Sequence, residues 1–228
     1  MPEKRRLTNY KIAVYLIVFF AIWSVRELYI RPVFLNQLDG FAWQIAEASM
    51  KLLVWTLPAI LLIKHYKDDM WISLKEMFTN RPKWFNSTPL LLLVFVPLIH
   101  PLVVNGGLSI RTDFQPMASL LDGLLFNGII GAGLAEELVF RGFLLNAFLK
   151  KTKIIPAIAL TDTLFALIHY PIWIYFGFGF TEILLATVQV FFIGAFFSYS
   201  FIKTKNIFVP IVLHITWNLL IMIFGVYQ

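Results

Sequence analysis

Apolar stretches close to the length of a bilayer crossing recur along the whole chain, beginning with IAVYLIVFFAIWSV at residues 12–25. A helix needs about 20 such residues to cross the hydrocarbon core, and a chain in lipid must satisfy every backbone polar group within itself. None of the runs alternates apolar and polar residues as a strand of an outer-membrane barrel would. An all-α, polytopic transmembrane helical bundle is therefore expected. Composition agrees, because 59% hydrophobic residues, 17% aromatic residues and a mean hydropathy of +0.77 lie well outside the soluble range.

Spans are expected near residues 10–25, 42–63, 88–106, 118–149, 154–170, 181–202 and 207–226. The fourth is too long, since it would rise about 48 Å against a core of about 30 Å. Gly128, Gly131 and Gly133 precede a pair of glutamates, so a kink or re-entrant turn is expected there, with a new helix starting near Leu134. Seven spans become eight if that helix is broken. Glu136 and Glu137 would then sit in a first turn, where the helix dipole favours negative charge.

The basic start MPEKRR resembles that of a signal peptide, but no small-residue cleavage site follows the apolar core, so this segment is expected to remain as the first span. The polar loop KHYKDDMWISLKEMFTNRPKWFNSTP carries Trp71, Ile72, Leu74 and Met77, which suit a short helix at the cytoplasmic interface. No repeat or linker divides the chain, and residues 1–228 read as a single integral membrane domain.

The formal charge of +6 follows from topology. Seven crossings put fourteen of the 19 Lys and Arg residues on one side, among them Arg5, Arg6, Lys67, Lys150, Lys151 and Lys203, against Arg26, Arg31 and Arg111 on the other. The positive-inside rule then places the N-terminus in the cytoplasm and the C-terminus outside, and the charge calls for no nucleic acid partner. With no cysteine, thiol nucleophiles, disulfides and cysteine-bound zinc are excluded.

Ionisable groups at membrane depth are costly and need partners. Here they are Glu47, Lys51, His100, Asp122, Glu136, Glu137, Arg141, Asp162, His169, Glu182 and His214. Glu47 and Lys51 stand four apart and are expected to neutralise each other on one helix face. His100, next to Pro101, reads as a packing histidine, and Asp122 and Glu182 lie near span ends. Glu137 and Arg141 are also four apart and read as an ion pair, which leaves Glu136, about 100° round the helix, free to face a different cavity. Asp162 and His169 share a helical pattern with Phe165, making Asp162 a candidate partner for His169.

Counting from the cytoplasmic ends at about 1.5 Å per residue puts Glu136, His169, His214 and Asn218 about 20, 22, 10 and 16 Å deep. A bundle could bring the four to one pocket, with His214 the shallow member. A glutamate and two histidines reached by water suit general-base activation of water and stabilisation of an oxyanion, and the same residue types ligate zinc. Blander readings are polar groups that merely satisfy one another between helices, or a proton relay in a carrier, although no repeat symmetry supports a carrier. HExxH and GxSxG are both absent.

EELVFR at 136–141, FALIH at 165–169 and HITWN at 214–218 match, in that order, the EExxxR, FxxxH and HxxxN motifs of the CAAX protease and bacteriocin-processing (CPBP, or Abi) intramembrane proteases. The chain resembles this family over residues 118–226. The resemblance implies that Glu136 activates the attacking water with help from His169, that His214 and Asn218 stabilise the oxyanion, and that Arg141 holds Glu137. If a divalent metal such as zinc takes part, Glu136, His169 and His214 would be its ligands. The implied substrate is a membrane-associated peptide or protein, in bacteriocin self-immunity or peptide maturation, and the short chain argues against prenylated CAAX substrates. The alternative is a non-proteolytic binding or immunity protein that uses the same pocket.

Overall fold

The computed structural model describes residues 6–81 and 131–224, the last four as backbone alone. Among the described residues there are seven helices and no strand: α1 Asn9–Gln37, α2 Gly40–His65, α3 Leu74–Thr79, α4 spanning 131–151, α5 Ile154–Tyr175, α6 Phe180–Thr204 and α7 Phe208–Phe224. Four of them, α1, α2, α5 and α6, are long and apolar enough to cross a membrane. Their outer faces expose large apolar side chains such as Ile17, Leu53, Leu185 and Phe192, as a bilayer requires. The described residues form an all-α helical membrane bundle.

Side-chain oxygens set several helix starts, in the way free N–H groups demand. Thr8 accepts from Lys11 N at 3.3 Å, and Asp39 accepts from Ala42 N at 3.3 Å. Ser73 and Glu76 form a reciprocal capping box at α3, whose backbone and side-chain hydrogen bonds from Ser73 hold the Glu76 carboxyl below its ordinary range. In α1 and α2 the helix widens into a π turn, at Arg26–Ile30 and Leu52–Thr56. Each of these turns ends two residues before a proline, Pro32 or Pro58. A proline has no N–H to give and its ring presses on the carbonyl four residues back, so a wider turn accommodates it without ending the helix.

This continuation corrects the first expected span. The helix does not stop near residue 25 but runs to Gln37, so Arg26 and Arg31 are helix residues and not loop charges. Arg26 is buried and pairs with Glu27 and Glu47, while Arg31 pairs with Glu27 at 2.8 Å.

Helix α4 is buried all round, from Ala135 to Ala147, and the others pack against it. Its residues 131–133 are already helical, so Glu136 and Glu137 do not lie in the first turn of a helix that begins at Leu134. The expected third span, His100, Asp122 and Gly128 lie outside the described residues.

At one end of the bundle the N-terminal segment is tied to the loop after α2 and to the end of α4. Leu7 N donates to Asp69 at 2.8 Å, and Lys151 Nζ donates to Leu7 O at 2.6 Å. Partial burial pulls the Lys151 ammonium below its ordinary range, against the pull of Asp69 in the other direction. Three of the basic clusters thus share one end. The short helix expected in the polar loop is α3, and it folds onto the bundle, with Met77 fully buried near Gly142 and Met77 O accepting from Ile207 N at 2.8 Å.

Asn146, fully buried on α4, pins that loop by accepting from Ile72 N and donating to Ile72 O, both at 2.9 Å. Asn146→Ala strands two buried backbone groups and is expected to lower stability by about 2–5 kcal/mol. A thermal unfolding series in detergent checks this, and an unchanged midpoint would contradict it.

Candidate active site

Three helices bring the motif residues together. Glu136, Glu137 and Arg141 come from the middle of α4. His169 comes from the point where α5 turns ahead of Pro171 and restarts as Tyr170–Tyr175, and His214 comes from the first half of α7. The cluster is built around the aromatic ring of Phe165, which lies edge-on to His169 at 5.0 Å and to His214 at 6.0 Å and stacks on the Arg141 guanidinium at 4.5 Å.

Arg141 has no exposed surface and uses its planar fork fully. Nη1 donates to Glu137 Oε1 at 3.0 Å, Nη2 to Asp162 Oδ1 and Gly194 O at 2.8 Å each, and Nε to Ser198 Oγ at 3.3 Å. The i,i+4 pair with Glu137 is thus present, as its spacing implies, but it is one part of a network joining α4, α5 and α6. Asp162 belongs to that network, accepting also from Ser198 Oγ at 3.1 Å. It does not partner His169, whose Nδ1 is 2.7 Å from Phe165 O. Position decides this: Asp162 lies nearly two turns before His169 and meets the guanidinium directly.

Gly194 lets α6 approach this network. A Cβ there would fall 2.8 Å from Asp162 Oδ1, 3.0 Å from the Phe165 ring and 3.1 Å from Arg141 Nη2. Asp162 is held by two hydrogen bonds and cannot swing away. Gly194→Ala is therefore expected to destabilise by about 1–3 kcal/mol through overpacking, seen as a lowered unfolding midpoint. An unshifted midpoint would show that the network yields more easily than its bonds imply.

His214 stands between the two glutamates. Its Nδ1 is 2.7 Å from Glu137 Oε1, and its Nε2 is 4.0 Å from Glu136 Oε2. Since Glu137 Oε1 is a carboxylate oxygen already bonded to Arg141, Nδ1 is the nitrogen that carries hydrogen. The ring is further fixed by stacking on Phe197 at 5.1 Å and 23°. Likewise, the Phe165 carbonyl assigns the hydrogen of His169 to Nδ1, leaving Nε2 as the acceptor, and Trp173 stacks on this ring at 5.6 Å. Glu136, His214 and Lys51 all lie within electrostatic reach of His169. Asn218, one turn beyond His214, is half-buried.

In the turn between α6 and α7, Lys205 takes a left-handed conformation at φ 51, and buried Asn206 donates to Asn80 O and accepts from Phe208 N.

Lys51 is the largest departure from the expected pairing. It does not neutralise Glu47, which is taken by Arg26 from α1. Its Nζ instead donates to Glu136 Oε1 at 2.7 Å across 85 positions of sequence. Among the described residues, no three side chains of His, Asp or Glu lie close enough to share a metal ion. Glu136 Oε2 faces His214 Nε2 at 4.0 Å, with His169 within electrostatic reach of both.

Residues 118–220, a little under half of the chain, match the family model of the type II CAAX prenyl endopeptidase, Rce1-like. Over that segment the chain is similar to the CAAX prenyl endopeptidase family. No curated protein and no solved structure matches the chain significantly. The matched segment contains every motif residue described above, and the match supports an intramembrane endopeptidase of CAAX type. Lys51, Arg26 and Glu47 lie outside it.

Proposed function

We propose that the protein is an intramembrane endopeptidase that hydrolyses a peptide bond by water activated at Glu136. The observation that carries this reading is the convergence of a buried glutamate with two histidines whose ring nitrogens are oriented by separate acceptors, Phe165 O and Glu137. Glu136 Oε2 and His169 Nε2 are the acceptors available to hold water. As the water oxygen bonds to the scissile carbonyl carbon, Glu136 takes its proton, then delivers it to the leaving amine as the C–N bond breaks. His214, in its protonated form, donates from Nε2 to the oxyanion, and the Asn218 amide is the second donor.

One oxygen of Glu136 is already bonded to the Lys51 ammonium, and among the described residues no group of three His, Asp or Glu side chains is placed to hold a metal ion. The scheme therefore takes no step through a metal. By charge bias, the end carrying Lys11, Lys67 and Lys151 faces the cytoplasm. The substrate class is a small membrane-associated peptide, or a protein cut near its end, which fits peptide maturation or self-immunity to a bacteriocin.

The test compares peptide fragments, by mass spectrometry of membrane and secreted fractions, from native cells carrying wild type or Glu136→Gln at matched abundance. Defined fragments absent from the variant are expected, and they name candidate substrates. Coincident profiles would count against proteolysis and favour a protein that binds its partner in the same pocket.

A further inference from the structure

We infer that Lys51, contributed by α2 from outside the family-matched segment, is a positioning residue for Glu136. Its ammonium fixes one carboxylate oxygen so that the other is presented to the attacking water. The inference rests on the endopeptidase reading above.

The two oxygens of Glu136 have different surroundings. Oε1 accepts from Lys51 Nζ at 2.7 Å, whereas Oε2 is the oxygen turned toward His214 Nε2, at 4.0 Å. A charge-assisted hydrogen bond in a site largely closed to water is short and strong, so it sets the rotamer of the carboxylate as well as balancing its charge. Without it, either oxygen could rotate toward the histidines.

Lys51 is itself held for this task. Its Nζ lies 5.9 Å from the Trp23 ring and 5.6 Å from the Trp55 ring, within cation–π range of both. Its side chain is 12% exposed, which leaves little room to turn away. The carboxylate one turn earlier, Glu47, is engaged by Arg26, so the ammonium is directed across to α4. Lys51 makes no bond and loses no proton in the reaction: water loses its proton to Glu136, and the leaving amine gains it. It acts through Glu136 alone.

Lys51→Met keeps the apolar stem between the two indoles and deletes the charge, and Lys51→Arg keeps the charge. Both are expressed in the native cells beside wild type and Glu136→Gln at matched abundance. The readout is the set of fragments that wild type produces and Glu136→Gln does not. Lys51→Met is expected to reduce them by about 10- to 100-fold, the scale on which a misplaced reacting group costs rate. Lys51→Arg is expected to restore most of them. Fragments at wild-type levels in Lys51→Met would overturn the inference and leave the endopeptidase reading intact. No difference between wild type and Glu136→Gln would remove both.

Lys51→Gln, which retains a hydrogen-bond donor without charge, guards against misfolding of the methionine variant, and unfolding midpoints of all three purified proteins are measured. Collapse of the midpoint in both neutral variants, without rescue by arginine, would assign Lys51 to packing and overturn the positioning role.

Discussion

Arg141→Met is expected to unfold the protein more readily than any other single change at the site. The guanidinium donates four hydrogen bonds in a place with no exposed surface, to Glu137, Asp162, Gly194 O and Ser198. Methionine fills much of the same volume, so the loss reports the charge and the bonds rather than a cavity. It leaves two carboxylates buried without their cation, and breaking one partner out of such a buried pair costs about 3–5 kcal/mol. Arg141→Lys should fall between, because an ammonium keeps the charge but cannot reach four acceptors arranged around a planar fork. Unfolding midpoints in detergent and abundance in the membrane read both variants. A methionine variant as stable as wild type would mean that Glu137 and Asp162 find other partners.

The two adjacent glutamates should fail in different ways. Glu136→Gln keeps the shape of the side chain and its contact with Lys51 but cannot take a proton from water, and loss of a general base is expected to reduce turnover by about 10²- to 10⁴-fold. Its unfolding midpoint should fall little, because Lys51 retains two indole faces. Glu137→Gln removes the anion shared by Arg141 and His214, so stability and turnover should fall together. The contrast is the informative part. Equal effects on stability from both changes would contradict the division of labour drawn here between a reacting carboxylate and a structural one.

Much of this was legible without coordinates, and the reason is locality. The bundle follows from apolar run lengths, and the Glu137–Arg141 pair follows from a four-residue spacing on one helix. The same local rule misled at Glu47 and Lys51. Their spacing suits a pair equally well, but α1 continues past residue 25 through a π turn and delivers Arg26 to Glu47, which frees Lys51 for Glu136. The place of Asp162 in the same helix suggests His169 as its partner, whereas the packing of α4 against α5 brings Arg141 to it. Partners chosen across helices depend on crossing geometry that periodicity does not encode.

The most direct test uses the parent of a fragment lost in Glu136→Gln cells. A synthetic peptide spanning that cleavage point is incubated with purified wild type or Glu136→Gln in lipid vesicles, and the new termini are identified by mass spectrometry. The account predicts cleavage at the cellular position by wild type and none by a variant that unfolds at nearly the same temperature. Cleavage by both proteins at similar rates would show that Glu136 does not activate the water, and the central claim would fall.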